Sequence, residues 1–221
     1  RAQTLGLAII ALSQGVAFFH AGDDILRSKS FDNNSFDSGD WFNKLDFTYQ
    51  SNNWGVGLPP AWSNDTANWS VMAPFLRDPS LEPGFTEIDQ ARRNFADFLA
   101  IRRSTQLLKL GSAPEIFGRL KFYNTGPAQN PALIVMTITG ERGRALVVLI
   151  NADKVAASFA PQTAGRAVFA GTRTRLHAVQ RRGADPVVRS STFDTGTGTF
   201  VVPARTAAVF EVRKVDDGDG D

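Results

Sequence analysis

The chain has 221 residues, of which 43% are apolar and 21% charged, with a formal net charge of +2 and no cysteine. These proportions exclude a disordered chain, and the missing thiols exclude disulfides, thiolate metal sites and a cysteine nucleophile while leaving the redox compartment open. The apolar run at 6–19 is broken by Ser13, Gln14 and Gly15 and is shorter than the roughly 20 residues of a spanning helix, so no membrane partner is expected.

The chain opens at Arg1 without a Met or a signal-like pattern, so its natural start is expected elsewhere. Leu5, Ala8, Ile9 and Leu12 form one helical stripe over residues 2–13. Gln14-Gly15 ends that helix before Val16-Ala17-Phe18-Phe19, whose consecutive apolar residues predict a parallel strand buried on both faces. The sequence then turns polar at His20, Asp23, Asp24 and Arg27, at the carboxyl end of that strand, where ligands collect in α/β folds. Residues 31–83 show no sustained period and mix Asn, Asp, Ser, Gly and Pro with aromatics, which reads as a long ordered functional loop.

Thr86 is placed to cap a helix over residues 87–108, with Ile88, Ala91, Phe95, Phe98 and Leu99 on one face and Gly111 beyond its end. After Gly111 the pattern changes to short β-rich runs at 132–139, 145–151, 166–170, 175–179, 199–202 and 207–212, an antiparallel β-sandwich. Two domains follow, residues 1–110 of α/β character and 111–221 all-β. The acidic tail at 216–221 is expected to fray.

Residues 1–110 carry 10 basic and 12 acidic side chains, and 111–221 carry 14 and 10. Arg166, Arg173, Arg175, Arg181, Arg182 and Arg189 alternate with strand-like residues and lack interleaved aromatics, a solvated sheet face more than a nucleic-acid surface. The cluster His20, Asp23, Asp24 and Arg27, followed by Asp37, Asp40, Trp41 and Asn43, has the acceptors, donors and flat aromatic faces of a sugar site. An ion-pair network bracing a loop uses the same residues. Adjacent Asp23 and Asp24 cannot serve as a retaining glycosidase pair, whose carboxyls flank the substrate about 5 Å apart. Two His residues and no Cys give no zinc spacing, and Asp32, Asn33, Asn34 and Asp37 lack the Gly and Glu of an EF-hand calcium loop, so no metal ligand is assigned. The sequons at Asn33, Asn64 and Asn68 read as chance.

Residues 15–30 (GVAFFHAGDDILRSKS), 35–43 (SFDSGDWFN), 52–60 (NNWGVGLPP) and 202–210 (VPARTAAVF) closely resemble pullulanases and limit dextrinases, the α-1,6-debranching branch of the α-amylase superfamily. The resemblance implies that residues 2–13, 16–19 and 87–108 are the seventh helix, eighth strand and last helix of a catalytic (β/α)8 barrel, followed by a C-terminal sandwich. It implies α-glucan as substrate, with Asp23, Asp24, Arg27 and Asp37 lining the cleft and Trp41 stacking on a sugar or propping the loop. The family's catalytic carboxylates have no counterpart here, so this chain is expected to be inactive without the N-terminal part of the same enzyme. No cofactor is expected in this stretch, and calcium is an option for the full-length enzyme. A glucan-binding or structural module is the alternative.

Overall fold

The structure is a computed structural model that describes residues 1–63 and 65–214. Asn64, with its sequon, and the acidic tail lie outside the described residues. The chain divides into two compact units, residues 19–93 and residues 1–18 together with 94 onward.

In the second of these, helix α1 (Ala2–Leu12) buries Leu5, Leu7, Ala8, Ala11 and Leu12. The expected stripe is displaced at one position: Ile9 is exposed. Past Gly15, in the left-handed region at φ 87°, residues 16–19 form no strand, contrary to expectation. Val16 and Phe18 are 95% and 85% exposed. A parallel strand exists only through ladder bonds to neighbours, and residues 16–19 belong to none of the described sheets. The end of α1 is fastened by Arg102, which donates to the carbonyls of Ala11 (2.9 Å), Ser13 (2.7 Å) and Gly15, acceptors at and just past a helix end that the helix itself gives no donor.

The first unit, treated with the site below, contains α2 (Asp40–Asn43) and α3 (Trp69–Leu76). Helix α4 (Phe85–Ser104) begins two residues before the expected start and ends four before the expected end. Glu87 reaches back to accept from the Gly84 N–H at 3.0 Å, which makes Gly84, not Thr86, the cap residue. Ile88, Ala91, Phe98 and Ile101 are buried, whereas Leu99 faces solvent. Sequence reading missed α5 (Ala113–Arg119), where Ser112 accepts from Glu115 N–H and Glu115 accepts from Gly111 N–H.

Strands β1 (Leu120–Phe122), β2 (Leu133–Thr139), β3 (Arg144–Asn151), β7 (Arg173–Leu176) and β10 (Thr206–Arg213) form one antiparallel sheet in the order β1-β2-β3-β10-β7. Strands β4 (Ala157–Phe159), β9 (Thr199–Val202) and β8 (Thr192–Asp194) form the second, and β5 (Gln162–Thr163) with β6 (Arg166–Ala167) a small hairpin. Leu133, Val135, Val147, Leu149, Ala208 and Phe210 share a core with Phe200 and Val202 of β9. Phe200 stands edge-on to Phe210, ring centres 4.9 Å apart, and to Phe169 at 5.7 Å. Helix α1 contacts β3 and β10, and seven consecutive residues of β3 are buried, so its apolar run does not alternate.

The expected strand at 175–179 is half helix: β7 ends at Leu176 and α6 (Ala178–Arg182) follows. The side chain of Gln180 replaces the missing strand, its amide donating to Ala207 O and accepting from Val209 N–H, both at 2.8 Å and both buried. Gln180→Leu should therefore destabilise the protein by about 2–4 kcal/mol in denaturant melts, because two buried backbone groups lose their partners. His177 caps α6, its Nδ1 accepting from Val179 N–H, which places the ring proton on Nε2, 3.3 Å from Ser104 Oγ. Burial, helped by Arg181 and Arg175 and opposed by Glu211, holds this imidazole below its usual 6.5. The unfolded chain then binds the proton first, so stability should decline as pH falls below 6.5 until the folded value is passed. That part of the pH profile should flatten in His177→Asn, which retains a capping side chain.

Candidate functional site

The polar run after residue 19 folds as a tight turn. Gly22 has φ 97°, and its carbonyl accepts from Ile25 N–H (3.1 Å) and Arg27 N–H (3.0 Å) around a 3-10 turn at Asp23–Ile25. A Cβ on Gly22 would lie 2.6 Å from Leu45 Cδ2 and 2.7 Å from Arg27 Cδ, so glycine lets Arg27 fold back over the turn. The guanidinium donates from Nη1 to Ala21 O (3.1 Å) and from Nη2 to Asn43 O (2.8 Å) and Oδ1 (3.3 Å). Its Nε is buried and has no hydrogen-bond partner among the described residues.

Asn43 ties this turn to the second motif. Its amide donates to Ser35 O at 2.6 Å, and its Oδ1 accepts from Ser35 Oγ at 2.9 Å. Arg27 and the 35–43 segment are therefore brought together, through the backbone carbonyl and the side-chain oxygen of Asn43 and not through a carboxylate. Among the described residues, no hydrogen bond or ion pair links Arg27 to Asp23, Asp24 or Asp37.

The other candidates face solvent to differing degrees. Asp23 lies 3.6 Å from His20 Nδ1. Asp24 contributes to the negative field at Arg92, whose protonated form is favoured first by its 2.6 Å bond to Asp89 and which lies 5.1 Å from the Tyr49 ring centre. Asp37 is exposed at the end of the 3-10 turn Ser35–Asp37. Trp41 is 60% exposed, lies against Gly39 and packs tilted beside Phe42 at 6.1 Å.

The residues that set this loop's shape were not singled out from sequence. Asn52 donates to Leu26 O (2.7 Å), and its own carbonyl accepts from Ser28 N–H (2.6 Å). Asn53, at φ 66°, donates to Lys44 O (2.7 Å) and accepts from buried Ser30 Oγ (2.7 Å). The signal was the Asn-Asn pair itself, since Asn tolerates the left-handed region and bonds backbone from its side chain. Leu26, Ser30, Phe31, Tyr49 and Asn53 all have positive φ, a concentration of backbone strain that accompanies functional loops. Asp46 shows the same economy, its carboxyl lowered to about 2 by hydrogen bonds from Thr48 and Ser51.

Among the described residues no group of three or more His, Asp or Glu side chains is arranged to hold a metal. Of the oxygen donors weighed for calcium, Asn33 gives its amide to Asp65 (2.8 Å) and Asp32 Oδ1 accepts from Asn34 N–H (3.0 Å).

Residues 49–213 match the family model described as "Alpha-1,6-glucosidases, pullulanase-type, C-terminal". The chain is 46% identical to chloroplastic pullulanase 1 of Arabidopsis thaliana, over 95% of this chain and 22% of that protein. It is 34% identical to a pullulanase of Klebsiella pneumoniae, over 96% of this chain and 19% of the relative. It superposes on the crystal structure of apo pullulanase from Klebsiella pneumoniae with a TM-score of 0.84 at 33% identity, covering 97% of this chain and 23% of that one. The chain thus spans about a fifth of the length of the curated relatives it matches.

Arg27→Lys should separate bracing from ligand contact. A lysine ammonium is a point donor and cannot reproduce the planar fork that holds Ala21 and Asn43 together. The variant is expected to lose about 1–3 kcal/mol of stability by thermal or denaturant melting, with a much smaller loss in a Trp41→Ala control whose ring is largely solvated.

Proposed function

The chain belongs to the pullulanase-type α-1,6-glucosidases as a C-terminal part, and on that premise we propose that it is the non-catalytic end of a debranching hydrolase acting on α-1,6 branches in pullulan, amylopectin or limit dextrins. The observation that carries this reading is the match of the whole chain to about a fifth of its pullulanase relatives. The retaining two-carboxylate chemistry would be supplied by the N-terminal part of the same enzyme.

In this reading residues 1–110 complete a (β/α)8 barrel and residues 111–221 are its C-terminal sandwich. Exposed Val16 and Phe18 support it, because 16–19 would become the eighth strand only beside barrel neighbours, and covering each large side chain contributes roughly 1.5–3 kcal/mol. Asp23, Asp24 and Asp37 would offer carboxylate oxygens to sugar hydroxyls, and Trp41 an apolar face to a pyranose ring. Arg27 would hold the loop that presents them, whether or not it also reaches the glucan.

Reducing-sugar release from pullulan tests the division of labour. The 221-residue chain alone should release none, and activity should require a polypeptide carrying the upstream carboxylates. Release by the chain alone would overturn the proposal. Retention of the chain on insoluble glucan without any such companion would favour the alternative of a binding module, which exposed Trp41 and Trp62 make worth measuring.

A further inference from the structure

On the edge of the larger sheet, β7 pairs antiparallel with β10 so that Arg173 lies directly opposite Arg213 and Arg175 opposite Glu211. Residues two apart on a strand share a face, so all four project to the same side. Glu211 is partnered: Arg175 Nε lies 3.4 Å from one carboxylate oxygen and His177 Nε2 3.7 Å from the other. The side chains of Arg173 and Arg213 are exposed, form no hydrogen bond or ion pair among the described residues, and oppose each other as like charges, an arrangement that weakens a sheet.

These four side chains line an open cavity of about 560 Å3 together with Gly171, Thr172, Thr174 and Thr195. Among the described residues its lining holds three guanidiniums against one carboxylate, an excess of two positive charges. Thr172 is buried and spends its hydroxyl proton on Phe169 O at 2.6 Å, so in its 2.8 Å contact with Thr174 it is the acceptor. The hydroxyl protons of Thr172 and Thr174 are thereby committed, which leaves the donation to the guanidinium N–H groups and the Thr195 hydroxyl. Two guanidinium forks that no described carboxylate pairs, lining one space, suit a tetrahedral dianion, which accepts several charge-assisted bonds at once.

We propose that the Arg173–Arg213 cross-strand pair, with Arg175 held by Glu211, forms a binding site for a phosphate group, either inorganic phosphate or a phosphate monoester on a sugar. An anion between the two guanidiniums turns a repulsive pair into a bridged one, and the cavity falls within the range of small-molecule sites, larger than a bare phosphate requires. The site is separate from the residues of the proposed glucan-facing loop and does not rest on that reading of function.

The test is a titration of the purified protein, not of an excised sandwich, with inorganic phosphate and with glucose 6-phosphate, balanced with sodium chloride for ionic strength and read by calorimetry and by thermal melting. Saturable binding that raises the melting temperature is expected. It should weaken by roughly tenfold or more in the double variant Arg173→Gln/Arg213→Gln, whose unliganded melting temperature should equal or exceed that of the parent. Tighter binding of glucose 6-phosphate identifies the ester as the source, and equal binding identifies the free anion. The control Arg166→Gln, on the separate β5-β6 hairpin, should bind as the parent does. Absence of saturable binding at balanced ionic strength, or undiminished binding by the double variant, would overturn the proposal.

Discussion

Strand β10 must have every buried backbone donor and acceptor matched, and much of the sheet-bearing unit is arranged to meet that requirement. One edge is covered along its length by β3, from Thr206 opposite Asn151 to Arg213 opposite Arg144. The other is covered by β7 only as far as Phe210, where His177 N–H donates to Val209 O before the chain turns into α6. Gln180 then returns its amide to the strand. An unpaired buried amide costs as much as a large apolar contact contributes, so a side chain standing in for a strand is as structural as the strand itself. Asn151 has a comparable role at the far end of β3, where its buried amide donates to the carbonyls of Val155, Val202 and Pro203 and so joins the two sheets.

The loop-rich unit at 19–93 is held differently. Its ordered segments are joined by short polar side chains bonded to distant backbone: Arg27 to Asn43, Asn52 to Leu26, Asn53 to Lys44, Ser30 to Asn53. Such bonds are directional and permit little adjustment, so they define a loop's shape where a fluid apolar cluster would not. Aromatic contacts such as Phe31 against Trp54, 5.3 Å apart and edge-on, supplement this scaffold. The positive φ angles at Ser30, Phe31 and Asn53 are tolerated because the same polar groups fix the chain on either side.

This contrast explains what could be read from the sequence. Strands β2, β3, β9 and β10 were legible because their apolar runs are bounded by Gly, Pro and Asn, and burial follows directly from composition. Helices α5 and α6 were not, because each is a short segment fixed by capping side chains, Ser112 and Glu115 or His177, within β-like surroundings. At residues 16–19 an apolar run predicted burial, yet burial requires a partner, and the run itself carries no information about whether one is present. The two motifs around Arg27 and Trp41 could be located, and their linkage through Asn43 could not, since the shorter bonds of Arg27 go to main-chain carbonyls that every sequence possesses.

Helix α1 and the strands it covers are separated by more than a hundred residues of intervening chain, yet they share one compact unit, with Arg102 clasping the helix's end. In terms of module exchange, a contiguous cut after the long helix would not yield a transferable sandwich. It would carry β3 and β10 away from the helix that shields their outer face. A transferable segment that keeps β3 and β10 covered must therefore include α1 and, with it, the intervening loop.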